Sequence, residues 1–231
     1  MASQRIGDTI RAVFFDAVGT LLHPSVSVAE TYRIIAARHG TAIEPALIRQ
    51  RIREAFIRQE KIDHQAGWRT SEIRERERWQ TIVRETLLEL TDPAVCFNEL
   101  WECYRQPGAW RLPEDANPVL RALSQRGMVV GMASNFDARL LEVAGQIPDL
   151  AGLKDRCVVS SLVGWRKPAG DFFQEVIRVA GCPAENILFV GDDLRNDYQG
   201  ARAAGMNALL IDPEGKSDVP DRIAKLSDIL E

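Results

Sequence analysis

The hydrophobic and polar positions divide the chain into a helical stretch and a longer stretch in which strands alternate with helices. Residues 12–15 (Ala-Val-Phe-Phe) form a short apolar run, which is typical of a strand buried on both faces. Asp16 then ends this run with a carboxylate, and Gly19 and Thr20 predict a turn. A charge at the end of a central strand lies at the carboxyl edge of the sheet, where open α/β folds bind ligands.

Between residues 28 and about 111 the apolar positions follow helical spacing, and we find no convincing strand pattern there. Arginine and glutamate alternate over residues 74–78, and this alternation of sign favours a solvated helix face over a nucleic-acid motif. We interpret most tryptophans of this region as the core of a small helical unit, with a substrate pocket as the alternative. Four of the five tryptophans lie here: Trp68, Trp79, Trp101 and Trp110.

From Pro113 onward, strand patterns alternate with helical patterns. We predict strands over residues 128–133, 157–159, 186–190 and 207–211, each of the first three followed by a helix. Repeated strand–helix units predict an α/β fold with a doubly wound parallel sheet and right-handed crossovers. The helical stretch is inserted after the first strand, so we predict that it forms a lid over the sheet.

Composition and charge exclude several classes of protein. The chain has 29 basic and 33 acidic residues, a net charge of -4, which argues against nucleic-acid binding. No apolar run approaches the roughly 18 residues that span a bilayer, and the N-terminus lacks the apolar segment of a signal peptide. The four cysteines form no Cys-x-x-Cys pair, which indicates reduced thiols. We therefore expect a cytoplasmic protein that binds neither membranes nor nucleic acids.

Polar residues follow the predicted strands directly or lie on the next loop. Because the carboxyl ends of parallel strands share one edge of the sheet, we expect these side chains to meet. Each has a simple alternative when taken alone: Ser134 and Asp197 could cap helices, and Lys167 could lie on the surface. Four strand ends with matching polar groups favour a common site. Its members are Asp16, Thr20, Ser134, Lys167, Asp192, Asp193 and Asp197.

Electrostatics indicates what this site would hold. Asp16 and Asp192 would lie close together with Asp193, Asp197 or both, and Lys167 would be the only nearby cation. Carboxylates that close raise one another's pKa unless a positive charge joins them. Mg²⁺, held by carboxylates, waters and a backbone carbonyl, suits such a site best. The pocket would then accept an anionic substrate, which a free carboxylate could attack.

Four motifs resemble the haloacid dehalogenase superfamily, which is dominated by phosphatases that form an aspartyl-phosphate. Phe-Phe-Asp16-Ala-Val-Gly-Thr20-Leu is similar to the first motif, whose aspartate is the nucleophile. Ala-Ser134-Asn135 is similar to the second motif, whose hydroxyl holds a phosphoryl oxygen. The resemblance implies that Asp16 is the catalytic nucleophile and that Thr20, Ser134 and Asn135 bind the substrate.

The other two motifs supply the positive charge and the metal ligands that the resemblance implies for the site. Gly-Trp-Arg-Lys167-Pro matches the third motif, with its charge-neutralising lysine, and Val-Gly-Asp-Asp-Leu-Arg-Asn-Asp (residues 190–197) matches the fourth, which supplies metal ligands. The resemblance implies a small phosphorylated or otherwise anionic substrate and a Mg²⁺ cofactor. The implied ligands are Asp16, the backbone carbonyl of Val18, Asp192, and Asp193 or Asp197. It also implies a helical cap over residues 24–110, inserted into a core of residues 1–23 and 111–231.

One position departs from the family pattern. Phosphatases of the superfamily carry a second aspartate two residues after the nucleophile, where it protonates the leaving group and later activates water. Here that position is Val18, which cannot transfer a proton. Loss of a general acid–base typically costs about 10²–10⁴ in rate. His23 is a weak candidate to replace it, since a lone histidine near a hinge is more often structural.

Three functions therefore compete. The first is a Mg²⁺-dependent phosphatase that is slow or that acts on a phosphate with a good leaving group. The second is a 2-haloacid dehalogenase, since those enzymes also lack the second aspartate; they use an arginine after the first motif to receive halide, and Arg33 is the nearest here. The third is a non-catalytic protein that binds a phosphorylated ligand or another protein. We predict the first.

Overall fold

The computed structural model of the chain describes residues 6–7 and 9–231. Its six-stranded sheet has the order β5-β4-β1-β6-β7-β8, and every pairing in it is parallel. A separate two-stranded antiparallel ribbon joins β2 and β3. The strands are β1 (Ala12–Phe15), β2 (His23–Pro24), β3 (Trp110–Arg111), β4 (Val129–Ser134), β5 (Cys157–Val159), β6 (Ile187–Gly191), β7 (Asn207–Ile211) and β8 (Arg222–Ile223).

Helices lie between the strands and over the sheet. Four of them follow β2: α1 (Val28–Arg38), α2 (Pro45–Gln65), α3 (Glu72–Thr86) and α4 (Pro93–Cys103). The others are α5 (Ala116–Gln125), α6 (Arg139–Gln146), α7 (Pro148–Ala151), α8 (Ser160–Val163), α9 (Gly170–Ala180) and α10 (Gly200–Ala203). A π-helical turn, Leu194–Gln199, precedes α10. Within the described ranges, no helix combines the length and the apolar character needed to span a bilayer.

Strand β1 lies at the centre of the sheet because both of its faces are apolar. Val13 and Phe15 belong to one buried cluster, while Ala12 and Phe14 belong to a second cluster on the opposite face. Successive side chains of a strand point to opposite faces, so an uninterrupted apolar run suits a strand covered on both sides. The predicted doubly wound α/β fold is confirmed.

Helices α1 to α4 have a hydrophobic core of their own. Its largest members include Tyr32, Ile48 and Phe97, and it contains no residue of the sheet. The side chains of Ser27, Ser71 and Asp92 accept hydrogen bonds from backbone N–H groups at the starts of α1, α3 and α4. A separate core supports the predicted cap over residues 24–110, and these domain boundaries stay a prediction.

Two sequence expectations differ from the structure. The strands β2, β3 and β8 were not predicted, because two residues are too few to show a periodic pattern. The alternating charges of residues 74–78 do not form a uniformly solvated face, since Glu75 is 1% and Arg78 4% exposed. Glu75 contacts Arg166 of the α/β core, and Arg78 lies 3.0 Å from Asp63 of α2.

Candidate active site

The carboxyl edge of the sheet brings residues from distant parts of the chain together. Asp16 follows β1, Ser134 ends β4 and Asp192 follows β6, and these three strands are neighbours. The backbone N–H of Asp16 donates to the carbonyl oxygen of Val190 at 2.8 Å, so the parallel pairing extends to the aspartate itself. The sheet register therefore fixes the position of the Asp16 carboxylate.

Lys167 is a buried cation between two carboxylates. Its Nζ lies 2.6 Å from Oδ1 of Asp16, 2.6 Å from Oδ1 of Asp197 and 3.1 Å from the carbonyl oxygen of Ala133. Burial alone would lower the pKa of Lys167, but the two carboxylates raise it above its ordinary value. Lys167 is therefore a fixed positive charge, and three acceptors engage its three N–H groups.

Three carboxylates form a cluster that fits a hard cation. One oxygen from each of Asp16, Asp192 and Asp197 lies within 4.8 Å of the others. Burial raises the pKa of Asp16 to about 6 and that of Asp197 to about 7, in each case against the lowering effect of Lys167. Burial and then the Asp197 charge raise the pKa of Asp192 to about 6. A single lysine does not balance three carboxylates, and an all-oxygen donor set suits Mg²⁺.

The structure does not bring the carboxylate of Asp193 into this cluster. Its Oδ1 accepts hydrogen bonds from the backbone N–H groups of Arg195 at 2.9 Å and Asn196 at 2.8 Å. Its own backbone N–H donates to Oδ2 of Asp197 at 3.0 Å. Asp193 thus caps the π-helical turn and orients Asp197, and Asp197 is the carboxylate of this segment that joins Asp16 and Asp192.

Thr20 and Gly19 support Asp192. The hydroxyl of Thr20 is buried and donates to Oδ1 of Asp192 at 3.5 Å, so the structure places this side chain against a carboxylate instead of in the cavity. Gly19 has a φ of 105°, and a Cβ at this position would collide with the Asp192 carboxylate. The turn after β1 therefore requires glycine both for its backbone conformation and for this close approach.

Ser134 and Asn135 have different environments. Both line the cavity over the sheet edge, and Ser134 is buried at the end of β4. The side chain of Asn135 binds the backbone of Lys167: its Oδ1 accepts from the N–H at 2.7 Å, and its Nδ2 donates to the carbonyl at 3.0 Å. Asn135 therefore positions the lysine, while Ser134 keeps the location predicted for a substrate contact.

The residues considered for proton transfer and for halide binding differ in whether they line the cavity. Val18 lines the cavity, so an apolar side chain stands in the same wall as Asp16. His23 lies in β2, is paired with Arg111 and is absent from the cavity lining; burial and Arg111 lower its pKa. Arg33 forms an ion pair with Glu30 at 2.6 Å on the surface of α1, also outside the cavity lining. The geometry therefore supports neither a proton-transfer role for His23 nor a halide-binding role for Arg33.

A cavity of about 450 Å³ lies between the sheet edge and helices α1 to α4. The four tryptophans of the helical block all line it. Trp79 and Trp101 also pack against the helical core, as expected, whereas Trp110 belongs to the core of the sheet. Trp68, Trp79 and Trp101 are partly buried, and Trp110 is 9% exposed. Sequence periodicity places such residues on a helix but does not show whether they face a core or a cavity.

An ion-pair network joins α2 and α3 to the loop that carries Lys167. Arg166 contacts the Glu75 carboxylate, which also accepts from the hydroxyl of Thr70 at 2.7 Å. Arg78 lies 3.0 Å from Asp63. Burial opposes ionisation of Glu75, but Arg166 and Arg78 hold its pKa below the ordinary value. These residues were not identified from the sequence, where the only signal was the density of charge in α3.

Fold and site together define an α/β protein with a cluster of carboxylates and a buried lysine at the carboxyl edge of its sheet. The chain belongs to the haloacid dehalogenase-like hydrolases, since the model of that family matches residues 10–205. Haloacid dehalogenase-like hydrolase domain-containing protein 3 from Homo sapiens is 31% identical to this chain, covering 91% of this chain and 88% of the human protein. The predicted family resemblance is confirmed.

The similar solved structures include a dehalogenase and a phosphatase, the two enzyme classes between which the sequence analysis chooses. The L-2-haloacid dehalogenase RSc1362 is 25% identical, with a TM-score of 0.73 over 96% of this chain and 97% of that chain. A haloacid dehalogenase-type phosphatase from Thermococcus onnurineus is 23% identical, with a TM-score of 0.66 over 95% of this chain and 96% of that chain. The shared fold does not distinguish a phosphatase from a dehalogenase. The distinction therefore depends on the residues of the site.

Proposed function

We propose that this protein is a Mg²⁺-dependent phosphatase that acts on small phosphorylated substrates through an aspartyl-phosphate on Asp16. The observation that carries the proposal is the cluster of Asp16, Asp192 and Asp197 within 4.8 Å, with Lys167 between two of them. Reaction of one carboxylate with a phosphoryl group brings further negative charge into this cluster. A cation is therefore needed beside Lys167, and carboxylate oxygens are the ligands that Mg²⁺ prefers.

The residues of the site have separate roles in this proposal. An oxygen of Asp16 attacks phosphorus, the bond from phosphorus to the leaving oxygen breaks, and the leaving group departs with the electron pair. Water then attacks the phosphoryl group, which releases phosphate and restores Asp16. Lys167 holds Asp16 in place and balances negative charge, and Ser134 binds a phosphoryl oxygen. Asp16, Asp192, Asp197 and the backbone carbonyl of Val18 are the proposed Mg²⁺ ligands.

When bound, Mg²⁺ supplies charge neutralisation for the phosphoryl oxygens. Val18 supplies no proton to the leaving group and removes none from water. The proposed enzyme is therefore restricted to leaving groups that depart without a general acid, or it turns over slowly. Metal binding and proton transfer are separable in this chain, because a backbone carbonyl needs no particular side chain.

A 2-haloacid dehalogenase is the second candidate, because Val18 and the similarity to the dehalogenase RSc1362 favour it. Halide leaves unprotonated, so that reaction needs no acid at position 18. The acidic cluster argues against a dehalogenase, because two further carboxylates within 4.8 Å do not assist attack by a dehalogenase nucleophile. Binding of a phosphorylated ligand without turnover is the third candidate, and the same experiment separates all three.

The test is a metal-dependence assay on aryl, acyl and alkyl phosphates beside 2-haloacids, with chelator-treated protein and Asp16→Asn as controls. We expect phosphate release that requires Mg²⁺ and is lost in Asp16→Asn. Turnover of haloacids in chelator, with no phosphate release under any metal, would refute the proposal. Mg²⁺ binding without turnover of either class would establish a binding protein.

We also propose that the protein works in the cytoplasm on a small anionic substrate, without nucleic-acid or membrane partners. Its cysteines support a reducing compartment: Cys96 is buried, and Cys103, Cys157 and Cys182 are partly buried, all as free thiols. The net charge of -4 gives no basis for attraction to nucleic acid. Fractionation of cells that express the tagged protein tests this location, and recovery in a membrane pellet would contradict it.

A further inference from the structure

Nine of the residues that line the cavity over the active site are aromatic. Phe56 of α2 and Trp79 of α3 meet edge to face, with ring centroids 5.3 Å apart. Phe97 and Trp101 of α4 form a second pair, with centroids 5.4 Å apart. Phe56, Trp79 and Trp101 are only partly buried and line the cavity, so part of each ring is available to a ligand.

These rings continue to the catalytic edge of the sheet. Phe136 follows Asn135 directly, and its ring lies 6.1 Å from that of Trp110. The ring centroid of Tyr104 lies 5.5 Å from that of Trp110. Phe136, Trp110 and Tyr104 all line the cavity. A group esterified to a phosphate beside Asp16 therefore meets aromatic side chains immediately beyond the phosphoryl group.

Three arginines in the cavity wall are already paired with carboxylates of the protein, and one of them, Arg78, lies 3.0 Å from Asp63. Arg139 binds both oxygens of Asp137 at 2.7 Å, and its guanidinium carbon lies 3.3 Å from the centroid of the Trp101 ring. Arg166 contacts the Glu75 carboxylate. These guanidinium groups organise the wall instead of attracting a second anionic group. The cap side of the cavity is thus suited to a flat apolar group.

The chemistry at position 18 independently restricts the leaving group. Val18 lines the cavity and cannot protonate a departing oxygen. An aromatic alcohol has a pKa of about 10, as in tyrosine, so its oxyanion leaves far more readily than that of an aliphatic alcohol. An enzyme without a general acid is therefore best matched to an aryl ester.

We propose that the preferred substrates are phosphate monoesters of aromatic alcohols, with the ring bound among Phe56, Trp79 and Trp101. This inference rests on the proposed phosphatase function and names its substrate class. Asp16 forms a bond to phosphorus, the bond from phosphorus to the aryl oxygen breaks, and the aryloxide leaves with the electron pair. The aryloxide takes its proton from water, so that Val18 has no part in the step.

Binding and turnover are tested separately on the Mg²⁺-loaded protein. Calorimetry compares benzylphosphonate with cyclohexylmethylphosphonate, which have similar size but differ in aromaticity. We expect a Kd about three- to tenfold lower for benzylphosphonate, as ring–ring contacts provide. Steady-state assays compare phenyl phosphate with benzyl phosphate, which share the ring but differ in leaving group. We expect a kcat/KM, which reports the step that expels the leaving group, at least about tenfold higher for phenyl phosphate.

A pair of tryptophan substitutions locates the binding of the ring. Trp79→Leu should remove the difference between the two phosphonates. Trp165→Leu is the matched control, because Trp165 lies outside the cavity lining and contacts Arg69 instead. We expect it to keep the difference. The wild-type comparison decides the question even if one variant fails to fold.

The outcomes distinguish this inference from the phosphatase function. Equal Kd values for the two phosphonates, or equal kcat/KM values for phenyl and benzyl phosphate, would overturn the aryl preference. Acetyl phosphate carries no ring and serves as the reference for phosphatase activity. If neither acetyl phosphate nor any ester is hydrolysed, the phosphatase function fails, and the phosphonate Kd values still decide whether the cavity prefers aromatic rings.

Discussion

The side chain of Asn135 binds both backbone polar groups of Lys167. Its Oδ1 accepts from the Lys167 N–H at 2.7 Å and its Nδ2 donates to the Lys167 carbonyl at 3.0 Å. The residue that follows β4 thereby fixes the loop that carries Lys167. The Nζ of that lysine in turn donates to the carbonyl of Ala133, two residues before Asn135. The lysine is positioned from both its backbone and its side chain.

Asn135→Ala should therefore lower turnover through Lys167. We expect a fall in kcat of up to about 10²-fold with little change in KM, because a shift of the lysine by a fraction of an ångström weakens charge balance at Asp16. Stopped-flow or steady-state kinetics on an aryl phosphate measures this. Asn135→Asp is the control, since it keeps the acceptor but loses the donor and should recover part of kcat. A rise in KM at constant kcat would instead show that Asn135 binds substrate.

Asp197 and Asp193 should respond differently to substitution. Asp197→Asn removes a carboxylate from the cluster and should weaken Mg²⁺ binding at least about tenfold, as measured by calorimetry. Asp193→Ala removes a cap from the following turn and should cost about 0.5–2 kcal/mol of unfolding free energy. Its Mg²⁺ affinity should change less than that of Asp197→Asn. The reverse order of affinities would make Asp193 the ligand.

Val18 should leave a kinetic signature. In the proposed mechanism, the water that hydrolyses the aspartyl-phosphate has no base at position 18, so we expect the phosphoenzyme to accumulate with an aryl phosphate. Rapid-quench measurement should then show a burst of about one phenol per enzyme before the steady state. Val18→Asp should abolish the burst and raise the steady-state rate by about 10²-fold.

Val18→Asn is the matched control for this prediction, because it has the shape of aspartate without its proton chemistry. It should keep the burst and show no rise in rate. If Val18→Asp leaves the turnover of every phosphate ester unchanged, position 18 does not limit the reaction. The same result together with haloacid turnover would favour a dehalogenase.

Glu75 should make stability depend on pH. Its pKa is held below the ordinary value of 4.5, so its ionised form stabilises the fold above about pH 4.5, and that contribution is lost as pH falls through the lowered pKa. Glu75→Gln should cost about 3–5 kcal/mol at pH 7, because it removes the carboxylate in direct contact with the buried Arg166 and leaves only Asp63, 3.7 Å away, as a charged partner. Its unfolding free energy should fall less steeply than that of the wild type between pH 5 and about pH 3.

Glu77→Gln is the control for this effect, since it removes an exposed carboxylate from the same helix. Urea unfolding at several pH values measures all three proteins. We expect the control to follow the wild-type curve. A Glu75→Gln protein with wild-type stability at pH 7 would show that the buried pair contributes no net stabilisation.

Much of the core could be predicted from the sequence alone. The apolar run of residues 12–15 and the later alternation of strands and helices define a parallel sheet, because these patterns depend on local periodicity. Topology then places Asp16, Lys167 and Asp192 at one edge without any coordinates. The same local information shows that position 18 carries valine.

Which face a residue presents, and to which partner, was decided only by the tertiary structure. Asp193 and Asp197 are both carboxylates of one short segment, yet only the conformation of the turn between them separates a cap from a member of the acidic cluster. Trp79 has a helical spacing that fits a core or a cavity equally well, and packing between α2, α3 and α4 placed it on the cavity wall. Periodicity is a property of neighbours in the chain, whereas distances between strand ends and cap helices depend on side-chain packing across the whole fold.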